Sequence, residues 1–120
     1  MDNRELGAWG EKKAAGYLRL HGYKILEMNC RFRQGEIDII ASKRGYIVFV
    51  EVKLRKNDSY AEAREYVTAA KQQRVTVAAQ LWLGQNETEL QPRFDVLEIY
   101  APEGTATVNP KIIHWEDAFQ

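Results

Sequence analysis

The sequence predicts an α/β fold in which helices pack against one central mixed β-sheet, in the order α-β-β-β-α-β-β. Three observations lead there. Apolar residues recur at a helical period up to His21 and again between Thr68 and Leu83. Two β-branched, apolar arms, Gly35-Glu36-Ile37-Asp38-Ile39-Ile40 and Tyr46-Ile47-Val48-Phe49-Val50-Glu51-Val52-Lys53, flank the break Lys43-Arg44-Gly45. The second arm is apolar on both faces until it reaches Glu51, as a buried central strand should be.

The elements follow in chain order. Asp2 or Asn3 can cap a first helix that runs to about His21, with Leu6, Trp9 or Gly10, Ala14, Tyr17 and Leu18 on its apolar side. Gly22 is placed to stop it. Tyr23 to about Arg31 reads as a strand around Ile25 and Leu26, and the two arms above form the next two strands. Asn57, Asp58 and Ser59 mark a polar loop, and Ala61 to Val67 reads as a short separate turn. Thr68 caps the second main helix, to about Leu83, with Val75, Ala78, Ala79 and Trp82 inward and Gly84 ending it. Gln85 to Pro92 is a loop, and Arg93 to Tyr100 a strand. Thr105–Val108 and Lys111–Trp115 supply one or two more strands, broken at Asn109-Pro110.

At 120 residues, with 45% hydrophobic and 28% charged, the chain is expected to fold as a single domain over 1–120. Cys30 is the only cysteine, which excludes an internal disulfide and suits a reducing compartment. His21 and His114, far apart in the chain, make a Cys/His zinc site improbable. The first residues lack a signal-peptide pattern, and no apolar run approaches the roughly 18 residues of a membrane span. A cytoplasmic protein with no membrane partner is expected. Formal net charge is zero, but its distribution is uneven: residues 24–56 carry eight basic and four acidic side chains, residues 57–120 five and ten. The positive excess surrounds the carboxylates of the two arms, as an approaching phosphate would require.

Those carboxylates are the main chemical signal. A two-residue turn at Arg44-Gly45 places Lys43 opposite Tyr46, and the same register puts Asp38 opposite Glu51. Directly opposed side chains share a face, with Cβ atoms about 5 Å apart, and Lys53 lies on that face by the strand period of two. Like charges facing each other in a sheet call for a compensating cation, and a metal is the simplest. The competing reading is a solvated Glu-Val-Lys face, which a one-residue change of loop length would produce. Glu11, near the border of the first helix's apolar side, is by pattern an exposed helix residue beside Lys12 and Lys13; folded back over the sheet it would add a third carboxylate.

Asp38, Glu51 and Lys53 in this spacing resemble the PD-(D/E)xK nuclease signature, with Ile37 where many members have proline. More broadly the chain resembles the YraN-like family of small bacterial predicted endonucleases, related in fold to Holliday junction resolvases. The likeness covers Gly7 with Gly10-Glu11, Tyr17-Leu18, Gly22-Tyr23, Asn29 with Arg31, Gly35-Glu36-Ile37-Asp38, Phe49-Val50-Glu51-Val52-Lys53 with Arg55, Lys71 with Arg74, and Arg93-Phe94-Asp95-Val96. It implies a restriction-endonuclease-like fold. It implies that Asp38 and Glu51 hold Mg²⁺ or Mn²⁺, with Glu11 and the Val52 carbonyl as further ligands and Lys53 serving the chemistry. Arg31, Arg33, Arg55, Lys71 and Arg74 become candidates to grip phosphates.

The activity so implied is metal-dependent hydrolysis of phosphodiester bonds in structured, branched or flapped DNA, with a homodimer left open. Two alternatives stand beside it: a nucleic-acid-binding module with little catalysis that acts with a partner protein, and a small protein-interaction domain whose charges only solvate the sheet.

Overall fold

The computed structural model describes residues 3–56 and 67–119. The loop at Asn57-Asp58-Ser59 and the turn from Ala61, except for Val67, lie outside the described residues. The first helix, α1, is Asn3–Leu20. It closes as the sequence predicts: Gly22 sits at φ +86°, its N–H donates to Arg19 O, and the Tyr23 N–H donates to Leu18 O. That pair of bonds is a Schellman motif, and it turns the chain straight into β1, Lys24–Phe32.

β2 (Gly35–Lys43) and β3 (Tyr46–Arg55) form the expected hairpin. Arg44 and Gly45 have φ of 45° and 86°, a type I′ turn, and Lys43 pairs with Tyr46. α2 is Ala69–Gln85, capped by the Thr68 hydroxyl, which accepts from the Lys71 N–H at 3.1 Å. It carries the chain across the sheet to β4, Gln91–Tyr100, which pairs parallel to β3; β5, Lys111–Phe119, closes the other edge antiparallel. The sheet order is β1-β2-β3-β4-β5, and the order and mixed pairing match the restriction-endonuclease-like expectation.

Several boundaries differ from the expectation: β4 begins at Gln91, inside the expected loop, and β5 runs on past Trp115 to Phe119. Gly84 lies inside α2, because the Asn86 amide donates to Trp82 O at 2.9 Å and caps the helix two residues later. Thr105–Val108 forms no strand. Gly104–Ala106 is a 3-10 turn, with Gly104 at φ +58° and the Glu103 N–H bonded to the Thr107 hydroxyl at 3.0 Å. No helix among the described residues is long and apolar enough to cross a membrane.

The sheet separates two apolar layers. On one face Ala14, Ala15 and Leu18 of α1 pack on Ile39, Ala41, Val48, Val50, Leu97 and Ile99. On the other, Val75, Ala78, Ala79 and Trp82 of α2 pack on Cys30, Ile37, Ile40, Ile47, Phe49 and Val96. One irregularity matters for function. Met28 and Ile39 belong to the α1 layer, yet Cys30 and Ile37, two residues away on the same strands, belong to the α2 layer. Both strands change face between these pairs, at Asn29 and Asp38. Asn29 is left-handed at φ 51°, a conformation asparagine tolerates better than most residues. The β1–β2 tip therefore curls toward α2, where Gly35 lies against the Arg74 carbonyl, which leaves no room for a Cβ.

Gly35→Ala should accordingly lower the melting temperature by about 5–10 °C, since the contact is with backbone and overpacking costs about 1–3 kcal/mol. Gly16→Ala, on an open helix surface, should leave it equal or slightly raised. Thermal melts of the two variants check both, and an unchanged Gly35→Ala would show that the hairpin tip does not rest on α2.

Candidate functional site

The hairpin register holds from Lys43–Tyr46 through Ile39–Val50. Continued by one step, it would give the Val52 N–H to the Ile37 carbonyl. Ile37 has instead turned into the α2 layer, and the Val52 N–H donates to Asp38 Oδ2 at 2.8 Å. β2 thus leaves β3 at Asp38, and a side-chain carboxylate replaces the missing rung of the ladder. A residue's N–H and C=O point to the same side of a strand, so the Val52 carbonyl also faces this opening. Direct opposition of Asp38 and Glu51 within the ladder does not occur. The two carboxylates still meet across the opening, where the charge of Asp38 acts on Glu51.

Glu51 is the more deeply placed, with its side chain 6% exposed. Lys71, in the first turn of α2, stands with Nζ 3.6 Å from Glu51 Oε1 and 3.6 Å from Glu36 Oε1. Glu51 Oε2 is buried and has no hydrogen-bond partner. Burial first, and then the charge of Asp38, push the Glu51 carboxyl up to about 7, against the opposing effects of Lys71 and Lys53. Asp38 is raised too, chiefly by burial, with Glu11 and Glu36 adding to the rise while the Val52 N–H and Lys71 oppose it. Glu11 therefore does reach the site electrostatically. Its helix approaches closely because its neighbour is Gly10, where a Cβ would be 2.8 Å from Leu54 Cδ2.

The structure brings together Asp38, Glu51, Lys53 and Lys71, with Val52 between the two arms and Glu11 near Asp38. No cluster of three or more His, Cys, Asp or Glu side chains stands at metal-binding spacing among the described residues, so the carboxylates gathered here are the pair Asp38 and Glu51. The proposed phosphate contacts separate. Arg31, Arg33 and Arg74 are exposed around the β1–β2 tip, and Arg31 makes only a long, solvated pair with Glu36 at 3.8 Å. Arg55 is half-buried and directed at Glu98, 3.4 Å away. Lys71 lies against the carboxylates. Sequence reasoning did not single out Glu36 as a site residue; its place in the Gly35–Asp38 run was the available signal.

A mixed-sheet α/β protein whose central strand opens beside two neighbouring carboxylates and two lysines is the class that fold and site define. Comparison with known proteins gives the family. The model of the uncharacterised protein family UPF0102 matches residues 10–99. A UPF0102 protein of Syntrophotalea carbinolica is 48% identical over 95 residues, 78% of this chain and 77% of the relative. The UPF0102 protein TTE1452 of Caldanaerobacter subterraneus subsp. tengcongensis is 41% identical over 120 residues, 99% of this chain and 98% of its own. A third, from Geobacter metallireducens, is 42% identical over 121 residues, 100% of this chain and 96% of the relative. The chain belongs to UPF0102, the YraN-like family.

The raised Glu51 carboxyl has a consequence for stability. A carboxyl whose folded value exceeds its unfolded one favours the fold while protonated, and that contribution is lost as pH rises from about 4.5 through about 7. Glu51→Gln, which stays neutral, should raise the melting temperature at pH 8 by about 4 °C, the scale of 1 kcal/mol here, and change it little at pH 4. Melts of both proteins across that range check the prediction. A variant equally shifted at both pH values would place the effect in packing rather than charge.

Proposed function

We propose that this protein is a metal-dependent endonuclease acting on phosphodiester bonds of structured or branched DNA. The observation that carries the reading is the buried Glu51 carboxylate, whose Oε2 lacks a partner, set beside Asp38 and Lys53 where β2 leaves β3. A buried carboxylate oxygen without a donor is costly, and a hard divalent cation is the ligand that suits it. The donor set fits Mg²⁺ or Mn²⁺: Asp38 and Glu51 would hold the ion, with the Val52 carbonyl and Glu11, directly or through water, as further oxygen ligands. When bound, the ion supplies an acidified water and polarises a phosphoryl oxygen.

The chain's own groups then have distinct tasks. Asp38 keeps one oxygen on the Val52 N–H, so its other oxygen is held in a fixed direction. The Lys53 ammonium, close enough to act on Glu51, orients the attacking water and offsets the charge that develops on the phosphorus. Arg31, Arg33 and Arg74 line the hairpin tip as exposed cations and suit a phosphate backbone rather than base recognition.

Mn²⁺ should raise the melting temperature, because a ligand that binds only the native state stabilises it by mass action. Asp38→Asn should remove most of that shift. An equal shift in Asp38→Asn and Glu51→Gln would show that the ion binds elsewhere. Lys53→Ala should fold normally and bind DNA, yet cleave about two orders of magnitude more slowly, while exposed Lys56→Ala cleaves at the normal rate. Metal and DNA binding without any cleavage would instead favour the non-catalytic binding module.

DNA affinity should fall with salt, and Arg33→Ala should reduce the slope of log K against log salt by about one. Titrations of a four-way junction and of its linear duplex at several salt concentrations check this. Failure to bind either at low salt would favour the protein-interaction domain.

A further inference from the structure

We propose that Lys71 is a tethered counter-ion that holds the place of the metal on Glu51 and withdraws to Glu36 when the metal enters. The inference rests on the metal-site reading above and adds how that site is kept when no metal is bound.

Lys71 is not placed for the benefit of its own helix. It lies in the first turn of α2, where the exposed backbone N–H groups make the helix end positive and favour acidic residues; that turn contains none. What it faces is negative. Its Nζ is 3.6 Å from Glu51 Oε1 and 3.6 Å from Glu36 Oε1. Both distances suit an ion pair and exceed that of a strong charge-assisted hydrogen bond, so neither carboxylate holds the ammonium tightly. The two partners differ in depth: Glu51 is 6% exposed, Glu36 41%. The long, partly solvated lysine side chain thus spans from a buried acid to one at the surface.

The arrangement answers a specific problem. Without a cation, the buried Glu51 and the half-buried Asp38 would place two negative charges together with little water between them, which is unfavourable. Lys71 supplies one compensating charge on Oε1 and leaves Oε2 uncovered. A divalent ion bound at Glu51 would repel an ammonium held at that distance. Because Glu36 already touches Lys71, the lysine can leave Glu51 without losing its partner. Glu36 thus serves as the standby partner, and the site exchanges one cation for another instead of passing through an uncompensated state.

The test uses the full chain, thermal melts in EDTA, and Mn²⁺ titration followed by the free-ion paramagnetic signal. In EDTA, Lys71→Met should lower the melting temperature of the wild-type chain but not that of Glu51→Gln. Lys71→Met should bind Mn²⁺ about tenfold more tightly, the scale of removing one partly screened charge. Glu36→Gln, which leaves Lys71 only Glu51, should bind Mn²⁺ more weakly, and this loss should vanish in the Lys71→Met background.

Weaker Mn²⁺ binding by Lys71→Met would overturn the proposal, since Lys71 would then be orienting Glu51 for the metal. So would an equal destabilisation by Lys71→Met in both backgrounds, or a Glu36→Gln effect that persists without Lys71. If neither wild type nor Lys71→Met binds Mn²⁺, the metal-site reading fails and the place-holder falls with it. Intact Mn²⁺ binding without coupling between Lys71 and Glu51 sinks the place-holder alone.

Discussion

The hydrogen bond from the Val52 N–H to the Asp38 carboxylate sits where two demands on the sheet conflict. From Ile39–Val50 toward the turn, β2 and β3 must stay paired, because both faces of that ladder carry the core. Beyond it, β2 must part from β3 so that Ile37 and Gly35 can pack on α2. Parting leaves the Val52 N–H without its rung, and an orphaned, half-buried N–H costs about 1–3 kcal/mol. Asp38 removes that cost with one oxygen and retains a second. The residue that ends the strand pairing is therefore also the one that carries charge into the opening, and sheet geometry and candidate chemistry share one carboxylate.

Three acids in this sheet are fully buried, and their surroundings distinguish structural from functional roles. Asp95 is held by Arg93 through two bonds, by His114 at 2.6 Å and by the Asp117 N–H at 3.0 Å. Burial alone would raise its pKa, yet these donors bring it below the usual carboxylate value. Glu98 accepts from Trp115 Nε1 at 2.9 Å and Tyr100 Oη at 2.8 Å, with Arg55 beside it. Both are saturated with donors and tie β5 to β4. Glu51 has one loose ammonium on one oxygen, nothing on the other, and a raised pKa. Native structures rarely leave a buried polar atom in that state without a use for it. On the proposed reading Glu51 is the acid that takes the ion, while the donors around Asp95 and Glu98 tie those two into the fold.

The sequence made some of this legible and hid the rest for identifiable reasons. The turn at Arg44-Gly45 fixed the hairpin register, because a two-residue loop with a glycine leaves little choice of geometry. The caps at Thr68 and Gly22 marked helix ends for equally local reasons. The parting of the strands at Asp38 was not legible. A strict period of two puts Ile37 and Ile39 on one face, and only the left-handed Asn29 opposite signals a change of side. Lys71 read as a candidate phosphate contact and not as a partner of the carboxylates, because Glu36 and Glu51 come from two strands far back in the chain. Arg55 looked like a free cation for the same reason, its anchor Glu98 being contributed by the parallel neighbour strand. Local rules settled what local chemistry determines, while side-chain partners across the sheet needed the assembled fold.

The same parting explains how charges from both sides of the sheet come to act on one point. α1 and α2 lie on opposite faces, and an intact, doubly covered sheet would separate their side chains by its two apolar layers. At Asp38 that barrier is interrupted. Glu11 acts on it from the α1 side, brought near by the close approach at Gly10, and Lys71 acts on it from the start of α2. The two helices contribute opposite signs, so the opening feels a third negative charge from one face and a positive charge from the other. A carboxylate pair on an unbroken strand face could recruit only the helix that covers that face. By opening the sheet at a side chain instead of at its edge, this chain assembles its charged groups from four elements and keeps both apolar layers closed around them.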